Sequence, residues 1–141
     1  MEELMADQRT VDVIIPVYKP DETLMRLFHR LEEQSYPIRK IIVMNTEKSY
    51  WEDSKYAHVK NLEVHHVTKE EFDHGGTRNR GAGYSKADIM VFMTDDAVPA
   101  DKNLISALVN AFLKTGRGGE KVVMVRSHRL NHRRHHRGRQ A

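Results

Sequence analysis

Ile89-Met90-Val91-Phe92-Met93-Thr94-Asp95-Asp96-Ala97 holds the clearest structural signal in this chain. Successive side chains of an extended segment point to opposite faces, and Ile89–Thr94 is apolar on both. A strand of that kind lies centrally in a sheet covered above and below, the usual setting of parallel strands. It then stops on two adjacent carboxylates, Asp95 and Asp96.

Toward the N-terminus, Val11–Tyr18 is a second β-branched run, broken by Pro16 and closed by Pro20, and reads as a buried strand opening into a loop. Ile38–Asn45, centred on Ile41 to Met44, is another strand. Leu62, Val64 and Val67 mark a short one, and Lys121–Val125 a last. Between them stand helices. Asp21 is a candidate N-cap with Glu22 in the first turn, and Leu24, Leu27, Phe28 and Leu31 recur at helical spacing. That helix spans 21–34 and ends before Tyr36-Pro37, because proline disfavours helix in the residue before it. A second helix covers 76–87 behind Gly75-Gly76. A third covers 102–114, capped by Asp101, with Leu104, Ile105, Leu108, Val109 and Phe112 inward, and Gly116-Arg117-Gly118-Gly119 stops it. Residues 46–60 show no clear period and read as loop with a helical turn.

Strand and helix alternate, which argues for an α/β domain with a parallel, helix-covered sheet of Rossmann-like type. Such sheets bind ligands at the carboxyl ends of their strands. Tyr18-Lys19, Asn45-Thr46-Glu47 and Asp95-Asp96 each come after a strand, so the polar clusters converge on one edge.

The chain has 141 residues and no cysteine, which excludes a disulfide framework, a thiolate zinc site and a cysteine nucleophile. One domain is the expectation. Residues 1–10 form a polar extension without the apolar core of a signal peptide. Val13–Val17 and Ile89–Met93 are too short to span a bilayer. A cytoplasmic protein, peripheral at most at the inner membrane face, is expected. The net charge of +3 belongs to the end of the chain: residues 126–141 hold six arginines and no acid, and without them residues 1–125 carry −3. Arg126 to Arg139 includes one apolar residue, Leu130, and the expectation is a disordered tail that cannot bury enough apolar surface to order itself. It lacks aromatic residues for base stacking, and no nucleic-acid partner is expected for the acidic body.

Two motifs carry chemistry. Paired carboxylates at a strand end suit a hard divalent cation that also grips a diphosphate. Alone, Asp95-Asp96 reads as a turn cap before Val98-Pro99; its place beside the other strand ends favours the metal. The second motif is His74-Gly75-Gly76-Thr77-Arg78-Asn79-Arg80-Gly81. Glycines at a helix start let backbone approach an anion, which the helix N-terminus favours. Arg78 offers a bidentate donor to phosphate. The spacing fits neither the dinucleotide fingerprint nor a P-loop. Adjacent His65 and His66 lie in a strand, point to opposite faces and cannot share one metal.

These segments, in this order, resemble family 2 glycosyltransferases. Val11–Tyr18 is similar to that family's opening strand and Ile38–Asn45 to its second. His74–Gly81 with Thr94–Pro99 resembles the bacterial rhamnosyltransferase-like branch. The resemblance covers about residues 11–125 and implies a GT-A nucleotide-sugar-binding half-domain using Mg2+ or Mn2+. The family's Asp-x-Asp motif falls on Thr94, Asp95 and Asp96, with Asp96 at the metal-holding position and Asp95 in the middle. Pro16, Val17 and Tyr18 would flank the base. Asn45 and Glu47 stand where the family often has an aspartate for base or ribose. His74, Gly75 and Arg78 would line nucleotide and diphosphate.

The resemblance further implies transfer from a UDP- or dTDP-sugar to a polysaccharide or glycolipid acceptor. The family's acceptor-binding half and its catalytic base are not found in residues 126–141, so no catalytic residue is assigned. The expectation is a truncated or frame-shifted chain that binds donor without transferring it. The alternatives are a non-catalytic nucleotide-binding module that needs a partner chain and, ranked last, a basic-tailed nucleic-acid binder.

Overall fold

The computed structural model describes residues 9–71, 74–114 and 122–125. In chain order the elements are β1 (Val11–Tyr18), α1 (Glu22–Glu32), β2 (Lys40–Thr46), β3 (Leu62–Val67), α2 (His74–Gly83), β4 (Ile89–Met93), α3 (Leu104–Lys114) and β5 (Val122–Val125). Two 3-10 turns, Lys48–Tyr50 and Asp53–Tyr56, occupy the stretch after β2. The expected tail at 126–141, residues 1–8 of the extension and Lys121 of the expected fifth strand lie outside the described residues.

The five strands form one sheet in the order β3-β2-β1-β4-β5, and every pairing is parallel. The chain runs outward from β1 through β2 to β3, then returns to the other side of β1 as β4. That reversal makes a topological switch point between β1 and β4, where the loops leaving the two strands diverge. Tyr18 pairs with Thr46 at the carboxyl edge, and Asn45 pairs directly with His66.

Both faces of the sheet are covered, as the doubly apolar strands require. On one face Val11, Val13, Ile15 and Val17 of β1 join Ile41 and Val43 of β2 and Ile89, Val91 and Met93 of β4. They pack against Leu24, Leu27, Phe28 and Leu31 of α1 and Ile105 and Val109 of α3. On the other, Ile14, Ile42, Met44, Val67 and Phe92 meet Ala82 of α2. The two histidines part as alternation demands. His65 stacks on Tyr84 with ring centroids 3.5 Å apart, and His66 turns edge-on to Trp51 at 6.4 Å.

Asp21 caps α1, its carboxylate accepting from the Thr23 N–H at 2.9 Å. α2 starts at His74 and ends at Gly83, earlier at both ends than its expected 76–87; at its end Tyr84 N and Ser85 N donate to the Gly81 and Ala82 carbonyls in a tightened last turn. Ser85 then turns into the core, its hydroxyl donating to Asp12 at 2.6 Å.

α3 corrects its expected start. It begins at Leu104, and Asp101 accepts from Asn103 N at 2.8 Å in the turn before it. The N–H of Ile105 instead goes to Gln34 Oε1 of the α1 terminus at 3.0 Å, while Gln34 Nε2 donates to the Asp101 carbonyl at 2.7 Å. One glutamine thus joins the end of α1 to the start of α3.

The loop after β2 is held by aromatic anchors. Trp51 stacks on Tyr56 at 4.4 Å, and Tyr56 meets Phe28 of α1 edge-on at 5.6 Å. Trp51, Tyr56 and Val59 are buried at positions with no helical or strand period.

Candidate functional site

The carboxyl edge of the sheet gathers the loops that leave β1, β2 and β4, with the first turn of α2 above it. Parallel right-handed crossovers place every helix start on that edge. After β4, Ala97 N donates to the Thr94 carbonyl at 3.1 Å, so Asp95 and Asp96 are the central residues of a tight turn. Turn and carboxylate pair are therefore one feature. Burial, together with the charges of Asp96 and Asp21, pushes the Asp95 carboxyl up to about 6. In the sequence Asp21 stands out only as a helix cap; its place at the head of α1 brings a third carboxylate near the switch point.

The chemistry of this donor set fits a divalent cation of one kind. No group of three His, Cys, Asp or Glu among the described residues could hold a metal by itself. Mg2+ or Mn2+ held by one or two carboxylates, with the remaining ligands from phosphate and water, suits two adjacent acidic side chains, one of which burial and then its neighbours' charges make costly to ionise without a cation.

At the end of β1, Pro16 is half-buried, Val17 is buried and Tyr18 is exposed. Tyr18 meets Tyr50 edge-on at 5.9 Å. Lys19, in the left-handed region with φ of 53°, holds its ammonium 5.3 Å from the Tyr18 ring and 5.4 Å from that of Tyr50. Lys69 approaches Tyr18 from the loop after β3 at 5.6 Å. The sequence marks Lys19 only as part of the polar pair that follows β1, and sequence reasoning did not find Tyr50 or Lys69. They come from separate loops, and only the sheet order brings them together.

Asn45 is fully buried at the end of β2. Glu47 is half-buried with φ of 72°, and its carboxylate accepts from the Lys69 N–H at 2.6 Å. Its own N–H donates to the Val67 carbonyl at 2.7 Å. Glu47 thus ties the end of β2 to the loop leaving β3. Asn45 Oδ1, Thr46 Oγ1 and Thr94 Oγ1 are buried without a hydrogen-bond partner among the described residues. Buried polar atoms are normally satisfied, and these three lie at the carboxyl ends of β2 and β4.

His74 and Gly75 open α2, and Arg78 lies one turn along. The side chains of His74 and Arg78 are outside the described set. Behind them α2 comes very close to the sheet at Gly81.

A helix-covered parallel sheet with a switch point at β1 and β4 and an acidic turn on its carboxyl edge defines a GT-A-type fold. Solved structures of that type agree. The chain is similar to Staphylococcus aureus TarS (TM-score 0.59, 21% identity, 75% of this chain and 32% of that one). It is also similar to Mycobacterium tuberculosis glucosyl-3-phosphoglycerate synthase solved with UDP (TM-score 0.59, 20% identity, 83% of this chain and 44% of that one). The family model for glycosyl transferase family 2 matches residues 12–140, and the chain belongs to that family. Among curated proteins it is similar to the O-antigen chain rhamnosyltransferase RfbN of Salmonella typhimurium, 28% identical over 103 residues covering 72% of this chain and 33% of that protein. A second relative is the O-antigen chain rhamnosyltransferase WbaN of Salmonella anatum, 28% identical over 103 residues with 71% and 32% covered. The chain thus spans about a third of the length of these relatives. No described helix is long and apolar enough to cross a membrane.

Proposed function

We propose that this chain is the donor-binding part of a glycosyltransferase, taking a nucleoside-diphosphate sugar such as a UDP- or dTDP-sugar together with Mg2+ or Mn2+. The observation that carries this is the acidic turn at the switch point, where Asp95 and Asp96 sit side by side and Asp95 resists ionisation up to about 6. A cation bound there neutralises charge developing on the leaving diphosphate. Asp96 holds it and Asp95 supports it. The first turn of α2, with His74, Gly75 and Arg78, faces the anionic phosphates with its N–H groups and positive helix end. Pro16, Val17 and Tyr18, with Asn45 and Glu47, frame the nucleoside.

The sugar acceptor in this reading is a polysaccharide or glycolipid, in keeping with the O-antigen relatives, and its activation is assigned to none of these residues. Thermal denaturation in Mn2+ tests the donor site. UDP or dTDP is expected to raise the midpoint, and uridine or thymidine alone to leave it unchanged. Equal shifts with and without the diphosphate would contradict the assignment of the acidic turn.

A further inference from the structure

The corner where β2 and β3 end contains a hydrogen-bond chain beyond the donor-site contacts assigned above. Asn45 Nδ2 lies 3.1 Å from the Glu47 carbonyl and 3.1 Å from His66 Nδ1. A carboxamide nitrogen has two hydrogens, so both are spent here. The carbonyl of Glu47 can only accept, which fixes the orientation of the amide. The group facing His66 is then a donor, and Nδ1 must be without a proton. His66 is accordingly neutral, with its hydrogen on Nε2.

The chain of contacts continues toward the site. The same Glu47 carbonyl accepts from Tyr50 N at 3.1 Å and closes the 3-10 turn Lys48–Tyr50. Glu47 sits in the left-handed region, which a glutamate adopts only when its surroundings hold it there. Tyr50 at the end of this turn packs edge-on against Tyr18.

We propose that His66 is a positioning residue of the nucleotide site: accepting from Asn45, it holds the Glu47 carbonyl and the turn that seats Tyr50 against Tyr18, and its protonation loosens this corner and weakens nucleotide binding. This rests on the donor-site reading and adds regulation by pH to it. A protonated Nδ1 would confront the Asn45 amide donor and break the bond. The surroundings oppose that proton. Burial chiefly lowers the His66 pKa, Lys48 and His65 add to the effect, and Asp53 works against it. From β2 the ring meets Asn45 and from the adjoining loop Trp51. The residue is nonetheless exposed, so protons reach it.

The test is calorimetric titration with UDP and with dTDP in Mn2+ at about pH 7.5 and about pH 5.5, using the wild-type chain, His66→Gln and His66→Leu, with thermal denaturation confirming that each is folded. Glutamine can still accept from Asn45 and does not titrate, so His66→Gln is expected to bind like wild type at the higher pH. On acidification wild type is expected to lose about fivefold more affinity than His66→Gln, the worth of one hydrogen bond. His66→Leu is expected to be weaker by a similar factor at the higher pH. Protonation of Asp95 and of the nucleotide is common to all three and cancels in the comparison. Parallel pH profiles for wild type and His66→Gln, or tight binding by His66→Leu, would overturn the role of His66 and leave the donor site standing. Failure of the folded wild type to bind either UDP or dTDP would overturn the donor site and this role with it.

Discussion

Gly81 of α2 lies so close to Ile14 of β1 that a Cβ on the glycine would stand 2.6 Å from Ile14 Cγ2 and 3.3 Å from Met44 Cγ. The helix whose first turn overlooks the site is thus seated on the sheet through a residue without a side chain. Ile14 is a fully buried strand residue that cannot withdraw. Gly81→Ala is expected to cost about 1–3 kcal/mol despite alanine's better helix propensity, as overpacking does. Urea denaturation measures it, and a stabilised variant would show that α2 can shift freely.

Asp12 anchors the opposite end of the sheet. Its fully buried carboxylate accepts from Arg39 Nε at 3.1 Å and Nη2 at 2.7 Å and from the Ser85 hydroxyl at 2.6 Å. It therefore joins β1 to the residue before β2 and to the link between α2 and β4. Asp12→Ala is expected to destabilise by about 2 kcal/mol, less than a wholly buried pair because Arg39 is partly exposed and can rehydrate. Chemical denaturation gives the value, and nucleotide affinity per folded molecule is expected to stay unchanged.

Gln34 is expected to couple two helices. Gln34→Ala leaves Ile105 N and the Asp101 carbonyl without the partners they now have. A loss of about 1–3 kcal/mol is expected, chiefly the cost of leaving the buried Ile105 N–H unsatisfied, since the exposed Asp101 carbonyl can turn to water. Hydrogen exchange should show the first turn of α3 opening faster than in wild type, with β1 and β2 unaffected.

Asp95 makes a pH-dependent contribution of definite sign. Its folded pKa is raised from 3.8 to about 6. The stability from its neutral form is therefore full below about pH 3.8 and lost as pH rises through about 6. At neutral pH the ionised side chain is a net cost. Asp95→Asn is expected to stabilise the chain near pH 7.5 by about 1–2 kcal/mol, after discounting for partial exposure, and to lose that advantage in acid. Urea denaturation at the two pH values measures the difference. The same substitution is expected to weaken metal-dependent nucleotide binding.

The sheet is legible in the sequence because its strands are short apolar runs with polar ends, and those ends lie on one edge. The cap at Asp21 is legible for the same local reason. The features that escape depend on partners distant in sequence. The start of α3 is set by Gln34, 71 residues from Ile105. The loop after β2 is ordered by Trp51, Tyr56 and Val59, whose irregular spacing matches no periodic template. Asn45 and His66 are 21 residues apart and meet only because β2 and β3 pair in register. Tyr50 and Lys69 converge on Tyr18 and Lys19 for the same reason. Local chemistry marks the strand ends as a candidate site; the topology decides which further side chains lie beside it.

The donor site is tested most directly by calorimetric titration of the folded chain with UDP and dTDP, with and without Mn2+, in wild type and Asp96→Ala. Binding that requires Mn2+ and weakens by about tenfold or more in Asp96→Ala is the expected result. Binding that ignores both the metal and the substitution, or no binding by folded wild type, would contradict a metal-dependent nucleotide-sugar site at the acidic turn.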